Sequence, residues 1–252
     1  EIEKFGIENF NRKCRESVFR YKNEWEEMTR RIGFWLDLEN AYVTMNKEYV
    51  ESVWWALNRI WKMGLLEKDF KIVPYCPRCG TPLSSHEVAQ GYKDTEDPSL
   101  YVKFKAKDED TFYLVWTTTP WTLPSNLFLA VNENVEYCLV KYKDEKYYLA
   151  CSVVDKLTPG AEIIKRMMGK DLLGRKYERL IPDIEYDGNV FFIVSGDFVT
   201  TEEGTGIVHI APAFGADDFE IGKKYNVKIL NPVDREGKFQ TGPWKGLFVK
   251  DA

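Results

Sequence analysis

Two short runs hold the residue types that could do chemistry. The first is Trp116-Thr117-Thr118-Thr119-Pro120-Trp121-Thr122-Leu123-Pro124-Ser125-Asn126. The second, much further along, is Gly204-Thr205-Gly206-Ile207-Val208-His209-Ile210-Ala211-Pro212, running on to Asp217 and Asp218. One run offers hydroxyls and an amide, the other an imidazole and a pair of carboxylates. Together they could surround a small polar substrate. Neither supplies a strong nucleophile or a complete metal site, so the combination points to a pocket that orients a substrate and a water.

Pro120 biases Thr119 toward extended backbone, and the β-branched Thr117 to Thr119 favour a strand entering a turn. Simple alternation would separate Thr117 and Thr119 from Thr118. Pro120 and Pro124 interrupt that alternation, so several hydroxyls can converge on one cavity. A bare Thr triplet reads as a sheet-edge cluster; the attached Pro-Trp-Thr-Leu-Pro and Asn126 favour function.

His209 ends an apolar strand behind Gly-Thr-Gly, where a histidine is more often a satisfied core residue. In a pocket wall it could be a base, a donor or a limit on size. Asp217 and Asp218 open a helix after Gly215, and either is favoured by the helix N-terminus. The other can face the pocket, where a carboxylate suits a substrate ammonium. As a pair they could do acid–base work.

Cys76-x-x-Cys79, in a Pro/Gly-rich knuckle, is half of a zinc ribbon. No second Cys pair accompanies it, and His86 is a candidate third ligand. The expectation is an incomplete half-site whose partners lie outside this chain, with a structural zinc left open. Cys14, Cys138 and Cys151 lie in helix or strand patterns and read as ordinary buried residues. Lys165, Arg166, Lys170, Arg175, Lys176 and Arg179 form a basic cluster: a solvated face, or a patch that contacts phosphates.

The elements that must position these groups fall into three segments. Residues 1–70 read as helical: Cys14, Val18, Tyr21, Trp25, Met28 and Ile32 alternate by four and three, predicting one long helix ended by Gly33. A second helix starts after Asn46 and stops at Gly64. Core or inter-domain packing is the expected role of their aromatics. Residues 71–98 read as the knuckle and a polar linker. From 99 to 252 the period shortens, with strands predicted at Leu100–Lys105, Thr111–Thr117, Asn126–Val131, Glu136–Tyr142, Lys146–Cys151, Val190–Val194 and Gly206–Ile210. Helices are predicted at Ala161–Met168 and Asp217–Tyr225. The fold class is α+β: a closed, barrel-like β domain with inserted helices, preceded by connecting helices and a small knuckle.

Composition sets the outer limits. With 252 residues and 44% apolar content the chain can bury a sizeable core, and 15% aromatics argue against disorder. No apolar run approaches the roughly 20 residues of a membrane span, and no signal peptide opens the chain. A net charge of −5 excludes a globally basic nucleic-acid binder. It leaves room for a local basic face, because exposed charges act over only about 10 Å in salt. Few, irregular cysteines fit a reducing compartment. The start at Glu1, without Met, reads as an excised segment of a longer protein.

Taken together, the two runs resemble the editing insertion of isoleucyl-tRNA synthetases, connective polypeptide 1. Related valine and leucine editing domains carry Thr-Thr-Arg-Pro at the first run; this chain has Thr118-Thr119-Pro120-Trp121 after Thr117, the isoleucyl form. His209 stands where valyl enzymes tend to have Lys. Cys14-Arg15-Glu16-Ser17-Val18, Thr29-Arg30-Arg31-Ile32-Gly33-Phe34-Trp35 and Glu51-Ser52-Val53-Trp54-Trp55 look like the same family's connecting helices. The Cys-Pro-Arg-Cys-Gly knuckle resembles its archaeal and eukaryotic branch, and some bacteria. Neither His-x-Gly-His nor Lys-Met-Ser-Lys-Ser occurs, so activation of isoleucine with ATP is not expected here.

The resemblance implies hydrolysis of valine wrongly esterified to isoleucine tRNA. Binding alone separates isoleucine from valine only about 150-fold, a value known for isoleucyl-tRNA synthetase itself, so a second, smaller site is needed. By the family pattern Thr117, Thr118 and Thr119 surround the ester and terminal adenosine, with Trp116, Trp121 and Asn126 on the same wall. His209 is the side-chain sieve, Asp218 holds the α-ammonium, and Asp217 supports or caps. The implied partners are the tRNA 3′ end carrying valine and the remainder of the synthetase. No cofactor for editing, no membrane, a cytoplasmic location and a monomer complete the expectation. The competing readings are a non-catalytic zinc-ribbon module gripping the tRNA end, a Cys or metal hydrolase, and a plain linker. Against the hydrolase stand only two His and no Gly-x-Ser-x-Gly elbow.

Overall fold

The computed structural model describes residues 1–252 as two compact units, Glu1–Asp69 and Phe70–Ala252. The first is helical: α1 (Ile2–Phe5), α2 (Ile7–Phe19), α3 (Lys22–Arg31) and α4 (Lys47–Lys62). The single long helix expected across Cys14–Ile32 is broken. Arg20 N–H bonds back only three residues, to Ser17 O, and Tyr21 leaves helical geometry at φ −109, ψ 10 before the ladder restarts. The apolar spacing gives no sign of this, because both helices keep the same period. Gly33, at φ +79, ends α3, and Phe34 N–H returns to Thr29 O. Asn46 precedes α4 in extended geometry but makes no side-chain cap bond. No residue of this unit is buried; Trp35, Trp54, Trp55 and Trp61 are all exposed. Cys14, expected to be buried, is exposed too.

The second unit opens with the hairpin β1 (Tyr75–Cys76) and β2 (Thr81–Pro82), then α5 (Ser85–Gln90), started by a Ser84/Glu87 capping box. There follow β3 (Leu100–Lys105), β4 (Phe112–Thr117), β5 (Phe128–Val131), β6 (Glu136–Tyr142), β7 (Glu145–Ala150), α6 (Val154–Leu157), β8 (Glu162–Met168), β9 (Phe192–Ser195), β10 (Val208–Ile210) and α7 (Ala216–Lys224).

These strands make a five-stranded sheet, β3-β4-β7-β6-β8, and a three-stranded sheet, β10-β5-β9. Neither closes into a barrel, which corrects the barrel-like expectation: the larger sheet ends at β3 and β8 and the smaller at β10 and β9, with only isolated bridges, Ala106 to Tyr177 and Lys176 to Phe192, flanking the β3 and β9 sides. The chain leaves the larger sheet for the smaller through a 3₁₀ turn, Pro120–Ser125, whose two prolines have no N–H to extend a ladder. The helix expected over Ala161–Met168 is strand β8, paired with β6 around an irregularity at Leu139/Val140. Its apolar residues fit either period, and the β-branched pair Ile163-Ile164 with an open edge to pair decided for strand.

Strand β5 is buried throughout and serves two cores. Leu129 and Val131 join Phe104, Val115, Tyr137 and Leu149 between the sheets. Phe128 and Ala130 face the other way, packing with Val194, Ile210 and Ile221 of α7. This pins β10, which carries His209 opposite Leu129, between the larger core and α7.

Cys138 and Cys151, expected as ordinary buried residues, are disulfide-bonded with Cα atoms 5.0 Å apart. Cys138 lies opposite Leu149 in the β6–β7 register, and the 3₁₀ turn at Cys151 returns its sulfur across that pair. Strand pairing, invisible in the separate sequence positions, makes them neighbours.

Candidate active site

The two runs meet. The end of β4, the Pro120–Ser125 turn, β10 and the start of α7 enclose a cleft of about 320 Å³. It is lined by Trp116, Thr117, Thr118, Thr119, Trp121, Thr122, Val208, His209, Ala211, Phe214, Gly215 and Asp218.

One wall is a relay of hydroxyls. Thr117 Oγ1 accepts from Thr119 N–H at 3.1 Å and lies 3.4 Å from Thr119 Oγ1. Thr119 Oγ1 is 3.3 Å from Thr122 Oγ1, which donates to Thr119 O at 2.8 Å. Thr122 Oγ1 in turn lies 3.0 Å from His209 Nε2. The 3₁₀ turn makes this possible, since its threefold period brings Thr119 and Thr122 onto one face. Trp121 closes one side, its ring edge against Phe214 at 4.8 Å.

Glycines hold the elements that carry the rest of the lining. Gly206, at φ +77, has room for no side chain: an added Cβ would come within 2.6 Å of the Ala150 Cβ. Its carbonyl accepts from Tyr137 Oη at 2.6 Å, and Thr205 O accepts from Ala150 N–H. Gly-Thr-Gly therefore fastens the start of β10 to the larger sheet. At the far end Ala211 N–H donates to Asp218 Oδ2 at 2.8 Å. Gly215 lets that carboxylate approach, because a Cβ there would lie 2.8 Å from the Asp218 Cγ.

Electrostatically the cleft holds a neutral ring and a poised acid. Burial pushes the His209 pKa down to about 4, so the imidazole is uncharged at neutral pH. Burial, offset in part by the Ala211 bond and reinforced by Asp217, raises Asp218 to about 6. A cation entering the cleft would restore the ionised form.

Of the residues expected at a site, Trp116, Thr117, Thr118, Thr119, Trp121, His209 and Asp218 line this cleft. Asn126 does not. It is buried, donating to Phe128 O at 2.8 Å and accepting from Tyr177 Oη at 2.7 Å. Asp217 is exposed in the first turn of α7, off the cleft. Thr122, Val208, Ala211 and Phe214 join the lining without having been singled out. For Thr122 the signal was its place three residues after Thr119, across a proline that starts a 3₁₀ turn.

Cys76 and Cys79 sit together in the hairpin knuckle, Cys79 N–H reaching the Cys76 sulfur at 3.4 Å. That contact and the Cys79 thiol lower the Cys76 pKa, while Cys79 is raised by its partner. No group of three or more His, Cys, Asp or Glu side chains is placed to hold a metal, and His86 pairs with Gln90 instead. In the basic cluster, Arg166 pairs with Glu136, Arg175 with Glu109, and Arg179 stacks over Phe191.

The family model for class I tRNA synthetases (I, L, M and V) matches residues 1–226. The chain belongs to the class I tRNA synthetase family. Its relatives include the isoleucine–tRNA ligase of Picrophilus torridus, 56% identical over 254 aligned residues, and that of Clostridium tetani, 53% identical over 256. The ligase of Thermus thermophilus is 49% identical. Each match covers 100% of this chain but 25% of the relative, so the chain spans about a quarter of their length. Among solved structures, GlLeuRS-CP1 aligns with a TM-score of 0.49 at 17% identity, over 61% of this chain and 91% of that one. The P. knowlesi cytosolic leucyl-tRNA synthetase editing domain aligns at 0.46 and 13%, over 61% and 89%. No helix is long and apolar enough to cross a membrane.

Proposed function

We propose that this chain is the editing domain of an isoleucine–tRNA ligase, hydrolysing valine esterified to isoleucine tRNA. The carrying observation is the convergence in one small cleft of a threonine relay, a neutral His209 and the carboxylate of Asp218. Those are the groups an aminoacyl ester needs: hydroxyls for the ester and ribose, an apolar wall for the side chain, an anion for the α-ammonium.

In this reading Asp218 anchors the ammonium, which draws its pKa back down as the charges meet. His209 walls the side-chain pocket and sets its depth, admitting valine and excluding the extra methylene of isoleucine. Thr117, Thr118 and Thr119 hold the ester and a water in attack geometry, and Trp116 and Trp121 flank the terminal adenosine. Fixing ester and water together removes most of the entropic cost of their meeting. Hydroxyl and backbone donors stabilise the developing oxyanion. The ester is already activated, so the water needs no strong base.

The wider assignments belong to the same proposal. The exposed tryptophans of Glu1–Asp69 pack against the remainder of the synthetase, the protein acts in the cytoplasm as a monomer, and a zinc at Cys76 and Cys79 would draw its other ligands from outside this chain. The reaction itself uses no cofactor.

The test is deacylation by the purified chain of isoleucine tRNA charged with valine or with isoleucine. Release of valine alone supports the proposal. If tRNA binds and neither ester is cleaved, a non-catalytic module that grips the tRNA end replaces it.

A further inference from the structure

Thr122 Oγ1 has one proton and three neighbours: Thr119 O at 2.8 Å, His209 Nε2 at 3.0 Å and Thr119 Oγ1 at 3.3 Å. The carbonyl is the nearest and can only accept, so it takes the proton. The Thr122 oxygen then presents lone pairs to His209, and Nε2 must be the donor. A second observation reaches the same answer from the other side of the ring. Nδ1 is buried and has no hydrogen-bond partner. A buried N–H without an acceptor is rarer and costlier than a buried lone pair without a donor. Both point to hydrogen on Nε2 and none on Nδ1.

We infer that Thr122 is a positioning residue that fixes His209 as its Nε2–H tautomer. The imidazole is held at one end by a directional bond across 87 residues of sequence, so turning over to exchange its two nitrogens would break that bond. A fixed ring makes a wall of fixed depth; a ring free to turn would vary the depth it presents. Desolvation keeps this ring neutral, so the tautomer persists through the physiological range. The tautomer stands on geometry alone; its consequence for selectivity rests on the editing reading.

The test uses the whole chain labelled with ¹⁵N and long-range ¹H–¹⁵N correlation of its imidazoles. There are two histidines, and His86, which is exposed, is identified by its loss in His86→Gln. Wild type and Thr122→Ser are expected to show the Nε2–H pattern for His209. Thr122→Val, which removes the acceptor but keeps the shape, is expected to show a mixture or the Nδ1–H form. An Nδ1–H pattern in wild type overturns the inference, as does a pure Nε2–H pattern in Thr122→Val. If Thr122→Val fails to fold, the wild-type and Thr122→Ser spectra still decide. In deacylation, the preference for valine over isoleucine is expected to fall roughly 2- to 10-fold in Thr122→Val, the reach of one neutral hydrogen bond, and to recover in Thr122→Ser. Absence of all hydrolysis in wild type would sink the editing reading while leaving the tautomer result standing.

Discussion

The backbone N–H of Ala211 donates to Asp218 Oδ2 at 2.8 Å, tying the end of β10 to the first turn of α7. His209 lies two residues before that bond. The imidazole and the carboxylate are therefore parts of one closed loop, and their separation is set by covalent chain and a single hydrogen bond rather than by loose packing of two elements.

In the proposed editing reading Asp218 is the ammonium anchor, so removing its charge should weaken the hold on the ester. Asp218→Asn keeps an oxygen for Ala211 N–H but loses the charge. Valyl ester hydrolysis is expected to fall at least about 10-fold, in line with the 1.5–3 kcal/mol of a charge-assisted bond, while circular dichroism stays unchanged. Full activity in the variant would show that the ammonium is held elsewhere.

His209→Ala should widen the cleft. The variant is expected to release isoleucine as well as valine from isoleucine tRNA, with valine release reduced less than isoleucine release is raised. A variant that still spares isoleucine would place the size limit on another wall residue.

The two buried groups should tilt stability with pH in opposite directions. Asp218 is raised to about 6, so the folded chain keeps a proton that the unfolded chain loses near its ordinary value; its contribution is full at low pH and is lost as pH rises through about 6. His209 is lowered to about 4, so its contribution is full above the ordinary histidine range and is lost as pH falls through about 4. Between these values the two largely cancel in wild type. Relative to wild type, Asp218→Asn should gain on the order of 3 kcal/mol from about pH 4 to about pH 6. Urea titrations across that range would measure it, and a constant difference would contradict the assignment of a raised Asp218.

Gly206→Ala should damage the fold more than its small size suggests. The residue is at φ +77 and its new methyl would meet Ala150 within 2.6 Å, which together cost roughly 1–3 kcal/mol. A melting temperature equal to that of wild type would mean the turn repacks at no cost.

Reduction of Cys138–Cys151, which closes a segment with a sequence separation of 13, should cost about 3 kcal/mol by loop-closure entropy. Thermal melts with and without a thiol reductant, with Cys138→Ala/Cys151→Ala as control, would test it; an unchanged midpoint would deny the bond a part in stability.

Much of this chain is legible one element at a time. Strands β3 and β6 lie where the alternation of Val, Tyr, Phe and Leu puts them, Gly33 and Gly64 end their helices, and Thr117 to Thr119, His209 and Asp218 stand out as chemistry before any coordinates. These features depend on neighbours near in sequence, and sequence displays such neighbours directly. What failed depended on distant partners. Ala161–Met168 suits either period, and only β6 beside it decides for strand. Asn126 lies off the cleft because its amide donates to Phe128 O close by and accepts from Tyr177, 51 residues away. Cys138 and Cys151 become a bonded pair only through strand register. Thr122 acquires its importance from His209, 87 residues away. The residues settle what chemistry is available, because functional groups are properties of side chains. Tertiary structure settles which groups meet, which are buried and which are charged, because those follow from contacts that no local pattern records.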